Sequence, residues 1–365
     1  MSDVRPGKKP FEPRATELQN TYGRLAFEMF AVLLVLALAF SNPVAATHAG
    51  GGDDASRAFN YIVVIVMENH GLSEVIGSSS AHFLNHLATS SGIALNYTAI
   101  DHPSLPNYLG LISGQDFSSW SVNDCSPNPD CSARAAPNLV DSMEHRGLTW
   151  KAYMEGYPSN CGSQCSPGGC FLGDDSASKY AARHDPFVYF DDIVNSTTRC
   201  SRIVPANSTS QVDDALLSDL SSPSTASNFM WLTPNLCNDT HDCPLTTGDN
   251  YLSQLVPRIL SSKVFEHQKA ALFITFDEGV QSYPKDLVYS VWTGPVVKQN
   301  FQTKNPYSHY SFLSTIETVW HLRPLTSNDA SAMPMTEFFV THNPHDHNEH
   351  HEQESRDDRE EQHER

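Results

Sequence analysis

Four short apolar runs constrain what this chain can fold into more than any other feature. They are Tyr61–Met67 (YIVVIVM), Asn228–Leu232 (NFMWL), Ala271–Phe276 (ALFITF) and Leu287–Trp292 (LVYSVW). Each is rich in β-branched and aromatic residues, and none contains a charge. An alternating run buries one face of a strand, whereas an unbroken one buries both, as in a parallel sheet. Helix-like stretches separate the runs. Ala81–Ser90 carries Phe83, Leu84 and Leu87. Asp249–Ser262 carries Leu252, Leu255, Val256 and Ile259. Tyr310–Leu322 carries Phe312, Leu313, Ile316, Val319 and Trp320. Strands alternating with helices predict an α/β sandwich with a mostly parallel central sheet.

Ligand sites in such folds lie beyond the carboxyl ends of the strands. Three of the runs end in carboxylates or carboxamides. Glu68, Asn69 and His70 follow the first. Thr233, Pro234 and Asn235, then Asn238 to Asp242, follow the second. Asp277, Glu278 and Gly279 follow the third. Any one cluster reads equally well as a helix cap or turn. Three at equivalent positions supply the oxygen ligands, with a few histidines, that divalent cations take. A fourth segment, Asp101 to Tyr108, reads as a loop entering a helix, with Pro106 tolerated in the first turn. Ser104 then stands at a helix N-terminus, where an anion is favoured. From spacing alone it is more readily an N-cap.

The ends read differently. Met29–Phe40 is an apolar run of 12 residues, short of the roughly 20 that span a bilayer. Basic residues precede it and small ones follow, which is the pattern of an export signal. Residues 1–46 are therefore expected to be a signal peptide or, uncleaved, an N-terminal anchor. All eight cysteines lie after it, and an even count in an exported chain reads as disulfides. Cys125/Cys131 and Cys237/Cys243 are spaced to staple single loops, and the remaining pairing stays open. Residues 342–365 hold nine acidic and three basic side chains with several histidines and are expected to be a solvated tail. Between the ends, residues 47–341 read as one domain, with a loop-rich insertion at about 116–207. Lys151, Tyr153 and Glu155 alternate within that insertion, either as substrate contacts or as structural residues. The net charge of −19 argues against a nucleic-acid partner, which would call for a basic face. No stable protein partner is expected.

The segments IVVIVMENH, DHPSLPNYLGLISG, WLTPNLCNDTHDC, LFITFDEG and YSHYSFLSTIETVW, in this order, resemble the phosphoesterase family of secreted acid phosphatases and phospholipases C. The compact members, including phosphatidylinositol-3-phosphatases, look most similar. The resemblance implies an alkaline-phosphatase-like three-layer α/β/α sandwich and a metal-assisted serine. It places the nucleophile on Ser104 and a phosphate-contacting carboxamide on Asn107. It gives Glu68, Asn69, Ser104, Asp277 and Glu278 to a metal, with Mg²⁺, Ca²⁺ or Mn²⁺ favoured over zinc and one or two ions. It gives His184 and His309 to phosphate contact or leaving-group protonation. His102, Asp239 and His241 fall to substrate binding, with Asp239, His241 and His309 in motifs that elsewhere bind a second metal. The activity implied is hydrolysis of phosphomonoesters through a phosphoserine, on a small-molecule or phospholipid-headgroup ester. A phospholipase C-type phosphodiesterase and a non-catalytic exported binding protein are the alternatives. A sulfatase is disfavoured, because Ser104-Leu105-Pro106 is followed by Asn107-Tyr108 rather than by the arginine of that signature.

Overall fold

The apolar runs become the strands that sequence patterning predicts. A computed structural model describes residues 57–207, 213–279 and 285–340. The expected leader and acidic tail lie outside these residues. Strands β1 (Tyr61–Met67), β6 (Phe229–Thr233) and β7 (Ala270–Phe276) pair in parallel at the centre of an eight-stranded sheet. Every residue of β7, and every residue of β1 but Tyr61, is buried, so both faces of the sheet are covered.

The sheet continues on one side through β4 (Trp150–Met154) and β5 (Ile203–Pro205). On the other it continues through β8 (Ser290–Thr293), β2 (Gly92–Ala94) and β9 (Phe301–Thr303). Among the described residues β8 alone runs antiparallel to its neighbours in the sheet. A separate parallel pair joins β3 (Tyr97–Thr98) to β10 (Tyr307–Ser308). The fourth apolar run enters the sheet later than expected. Its first residues, Leu287 and Val288, make isolated bridges to Thr98 and Gly71 before the strand begins at Ser290.

Two helix pairs cover the sheet. Helix α2 (Ser104–Ser113) packs with α4 (His309–Trp320), and α1 (His82–Ser90) packs with α3 (Leu245–Leu260). The Asp249 carboxylate accepts the backbone N–H groups of Phe83 and Leu84 at 3.1 and 2.9 Å, so α3 satisfies two of the orphan donors of α1. Phe312 of α4 stacks on Phe273 of β7, with centroids 4.9 Å apart and planes 14° apart. Such a pair contributes about 0.5–1.5 kcal/mol beyond its burial. Helix α2 ends at Gly114, whose φ of 69° is the left-handed cap that glycine takes without penalty.

Residues 116–207 supply β4 and β5 as well as long loops. Lys151 and Tyr153 both reach Asp219 Oδ2, at 2.6 Å each. Buried Glu155 accepts the backbone N–H of Asn235 (3.0 Å) and the amide of Asn238. All three are thus engaged within the fold. The eight cysteines form Cys125–Cys131, Cys161–Cys165, Cys170–Cys200 and Cys237–Cys243.

Candidate active site

The carboxyl ends of β1, β6 and β7 bring Glu68, Asp239 and Asp277 together, all fully buried. The backbone makes this convergence rigid. The Glu68 N–H donates to Asp239 O (2.9 Å), Thr240 Oγ1 donates to Glu68 O (2.7 Å), and the Asp277 N–H donates to Met67 O (2.9 Å). Asn69 adopts a φ of 60°, a left-handed turn that asparagine tolerates. Its N–H there donates to Asp277 Oδ1 at 3.2 Å.

Helix α2 delivers two hydroxyls to this cluster. Ser104 Oγ donates to Glu68 Oε2 (3.0 Å) and Tyr108 OH donates to Glu68 Oε1 (2.7 Å). Residues four apart share one helix face, so the spacing of Tyr108 from Ser104 is the signal that would have found it.

His184 enters from the 116–207 segment. Its Nε2 lies 3.1 Å from Glu68 Oε1 and its Nδ1 3.3 Å from Asp239 Oδ2. Neither His184 Nε2 nor Asp239 Oδ2 has a hydrogen-bond partner, and Asp277 Oδ2 is likewise buried without one. Ligand atoms of Glu68, His184 and Asp239 all lie within 4.8 Å of one another. Burial pushes the Glu68 carboxyl well above the usual range, and the Asp277 and Asp239 charges add to this. Burial raises Asp239 and takes Asp277 to about 7, although the Ser104 hydroxyl and two backbone amides oppose the rise. Burial pushes the His184 imidazole down. Crowded, dehydrated acids with unpartnered oxygens beside an imidazole are a donor set that fits a divalent cation.

The other predicted residues sit around this centre. Glu278 Oε2 lies 2.7 Å from His102 Nδ1, while His102 Nε2 lies 3.0 Å from Asp286 Oδ2. Burial and the charges of Asp277, Asp124, Asp286 and Asp101 raise Glu278 to about 9. His241 is at the rim, its ring 5.5 Å from that of His184. Arg183 Nη2 lies 3.1 Å from His241 Nε2. Arginine only donates, so His241 holds its proton on Nδ1, 2.8 Å from Asp242 Oδ1.

Two residues stand elsewhere than the resemblance implies. Asn107 spends its whole amide on the loop before α2. Its Oδ1 accepts the N–H groups of Ile100 and Asp101 (2.9 and 3.3 Å), and its Nδ2 donates to Asp101 O and Pro103 O (2.7 and 3.3 Å). It clamps the turn that presents Ser104. His309 lies beneath the cluster, fully buried. Its Nε2 is 2.5 Å from Asp277 O and its Nδ1 3.1 Å from Tyr97 OH. With both nitrogens engaged it braces the end of β7, and burial lowers it to about 4.

The sequence matches the phosphoesterase family over residues 78–323. This chain belongs to that family. A probable acid phosphatase of Kluyveromyces lactis is 29% identical over 286 residues, covering 77% of this chain and 62% of that protein. A phosphatidylinositol-3-phosphatase of Mycobacterium tuberculosis is 28% identical over 315 residues, covering 86% and 94%. An acid phosphatase of Aspergillus fumigatus is 27% identical over 281 residues, covering 75% and 58%. The phosphoesterase chain therefore spans about three-fifths of the length of these two fungal relatives. Among solved structures, an alkaline phosphatase superfamily protein from Vibrio parahaemolyticus superposes with a TM-score of 0.51 at 9% identity, over 75% of this chain and 69% of that one. The lipoteichoic acid synthase LtaP of Listeria monocytogenes gives 0.51 at 9% identity, over 76% and 77%. At that identity they show the fold of this phosphoesterase, which is alkaline-phosphatase-like.

Proposed function

We propose that the chain is an exported, metal-dependent phosphomonoesterase that works through a phosphoserine on Ser104. The observation that carries the reading is the placement of Ser104. Its hydroxyl starts a ten-residue helix and donates to a buried carboxylate beside a second carboxylate with an unpartnered oxygen. Ser104 is not the cap of that helix: Pro103 holds the cap position, and the Ser104 hydroxyl bonds Glu68 rather than its own helix.

The chain's residues divide the work. Ser104 Oγ attacks phosphorus as the P–O bond to the alcohol breaks, and Glu68 Oε2, already its acceptor, is the atom placed to receive the serine proton. The alcohol leaves with a proton from solvent, and water then hydrolyses the phosphoserine to release phosphate. The partial positive charge at the start of α2 lowers the cost of the alkoxide. Tyr108 fixes Glu68 from its other oxygen. Asn107 and His309 hold the Ser104 turn and the Asp277 strand end. Glu68, Asp239, Asp277 and His184 would hold the cation, with Asn69 and Glu278 beside them. Their oxygen-rich donor set favours Mg²⁺, Mn²⁺ or Ca²⁺ over zinc. When bound, a divalent cation offsets charge on the phosphoryl oxygens and eases ionisation of the serine.

The substrate class is a phosphate monoester. A lipid headgroup is among the esters to test, because the relative aligned over nearly its whole length is a phosphatidylinositol-3-phosphatase. Four disulfides among the described residues support export. The test is phosphate release from p-nitrophenyl phosphate across pH 4 to 9, with wild type beside Ser104→Ala, each with and without chelator. Loss of turnover in both the variant and the chelated enzyme is the expected result. Turnover of bis(p-nitrophenyl) phosphate alone would replace this reading with a diesterase. Inertness toward both esters with every divalent metal would end the catalytic reading.

A further inference from the structure

We propose that Asp124 is a built-in competitor for the phosphoryl group, and that Arg183 is the cation both of them bind. The inference rests on the monoesterase reading above and names the residue that grips the transferred group. It begins at the start of α2. Pro106 removes one backbone donor from that turn. The Leu105 N–H, next to Ser104, is a donor that remains. In the structure it donates to Asp124 Oδ1 at 3.0 Å. The other oxygen of the same carboxylate, Oδ2, lies 3.8 Å from Arg183 Nε. One anionic group thus spans an amide at a helix N-terminus and a guanidinium, immediately beside the nucleophile. Those are the two kinds of donor that recognise a phosphoryl oxygen.

The surroundings argue that this carboxylate is a stand-in and not a simple cap. Its second oxygen meets the guanidinium only at 3.8 Å, too long for a hydrogen bond, so capping the Leu105 N–H leaves Arg183 available to another anion. Arg183 is the residue before His184, so one backbone turn sends the imidazole into the metal-ligand cluster and the guanidinium to the mouth. Beside the cluster Arg183 also touches the His241 ring, and the His241 backbone N–H donates to Asp239 Oδ1 at 2.7 Å. Arg183 is therefore tied to the cluster whether or not it holds Asp124. Asp124 sits where the backbone turns, at a φ of 47°. The next residue is Cys125, fixed by its disulfide to Cys131 and by Tyr189 OH, which donates to Cys125 O at 2.8 Å. The anchor is firm and the side chain alone needs to rotate away. A phosphomonoester dianion, or its product inorganic phosphate, then takes the Leu105 N–H and the Arg183 guanidinium together.

The test is calorimetric titration of inorganic phosphate into the full-length, metal-loaded protein, alongside KM and kcat for p-nitrophenyl phosphate. Asp124→Asn keeps an acceptor for the Leu105 N–H and removes only the charge. It should bind phosphate about tenfold tighter, and Asp124→Ala should move in the same direction. Arg183→Ala should weaken phosphate about tenfold or more, with KM rising more than kcat falls. Arg183→Lys should recover part of the loss, because the fork geometry is missing. Phosphate binding unchanged or weakened in both Asp124 variants would make Asp124 a fixed cap and overturn the proposal. Unchanged binding in Arg183→Ala would overturn it equally. Wild type that binds phosphate without hydrolysing esters would remove the hydrolase reading while the titrations still decide the exchange. Wild type that binds no phosphate would remove both.

Discussion

Tyr108 lies flat against His184, with ring centroids 5.2 Å apart and planes only 7° apart. Its hydroxyl donates to Glu68 Oε1, the oxygen that His184 Nε2 approaches at 3.1 Å. One side chain thus sets both the plane of the imidazole and the pitch of the carboxylate. Tyr108→Phe keeps the stack and removes the hydroxyl. We expect kcat to fall about tenfold and stability to drop by about 1–2 kcal/mol, since a charge-assisted bond is lost from a dry site. Steady-state kinetics and urea denaturation read the two effects. An unchanged kcat would assign Tyr108 to packing alone.

The crowded carboxylates predict that divalent cations stabilise the folded chain. Binding only to the native state raises stability with the logarithm of ligand concentration, by about 2.7 kcal/mol at a hundredfold excess over Kd. Thermal denaturation should shift upward with Mg²⁺, Mn²⁺ or Ca²⁺ and downward with chelator. Asp277→Ala should lose most of that shift. A wild-type melting curve indifferent to every cation would contradict the ligand assignment.

Away from the site, Glu317 gives a pH prediction. Burial and the neighbouring Asp329 push its carboxyl up to about 9, while an unfolded glutamate titrates near about 4.3. The native state therefore holds a proton that the unfolded chain has released. Stability attached to this group is full below the unfolded value and is lost as pH rises toward 9. Its Oε1 accepts the Leu325 N–H at 3.2 Å, a bond that glutamine can keep. Glu317→Gln should raise the melting temperature at pH 8 by roughly 2–4 °C, for an effect on the order of 1 kcal/mol, and leave it unchanged at pH 4. A destabilised variant at pH 8 would show that the carboxylate is favourable as it stands.

The disulfides should separate stability from activity. Cys170–Cys200 closes a separation of 30 residues and Cys237–Cys243 one of 6. Loop-closure entropy gives about 3–4 kcal/mol for the first and about 2 kcal/mol for the second. The short loop, however, contains Asp239 and His241. Replacing Cys170 and Cys200 with alanine should therefore cost more stability, and replacing Cys237 and Cys243 more activity at a temperature where both variants are folded. Equal losses of activity would deny the short loop a role in building the site.

The sequence made the centre of the sheet legible and its margins less so. The strands β1 and β7 were readable because burial on both faces leaves an unbroken apolar run. The strand β4 was not, because Lys151 interrupts it and the neighbouring stretches are rich in Ser, Pro and Gly. The charge of Lys151 is met by Asp219, more than sixty residues away in the chain. Near the candidate site, the positions of Glu68 and Asp277 at strand ends were legible from the apolar runs they follow, whereas Ser104 stood out only through the family resemblance. The engagement of Asn107 and His309 was not, because only the folded backbone reveals which acceptors lie within reach. Arg183 and Asp124 were missed for a related reason. Each is ordinary in its local sequence and gains meaning from a partner brought in by the 116–207 segment.

The loop that carries Asp239 and His241 is closed by oxidation of Cys237 and Cys243, and the turn that places Asp124 is secured by Cys125 and Cys131. Neither the sheet nor the Ser104 helix contains a cysteine. The two loops that frame the site are therefore closed by oxidation, while the sheet and the Ser104 helix rest on apolar burial alone. Under the proposed export, the chain would complete the rim around Ser104 only on reaching an oxidising compartment.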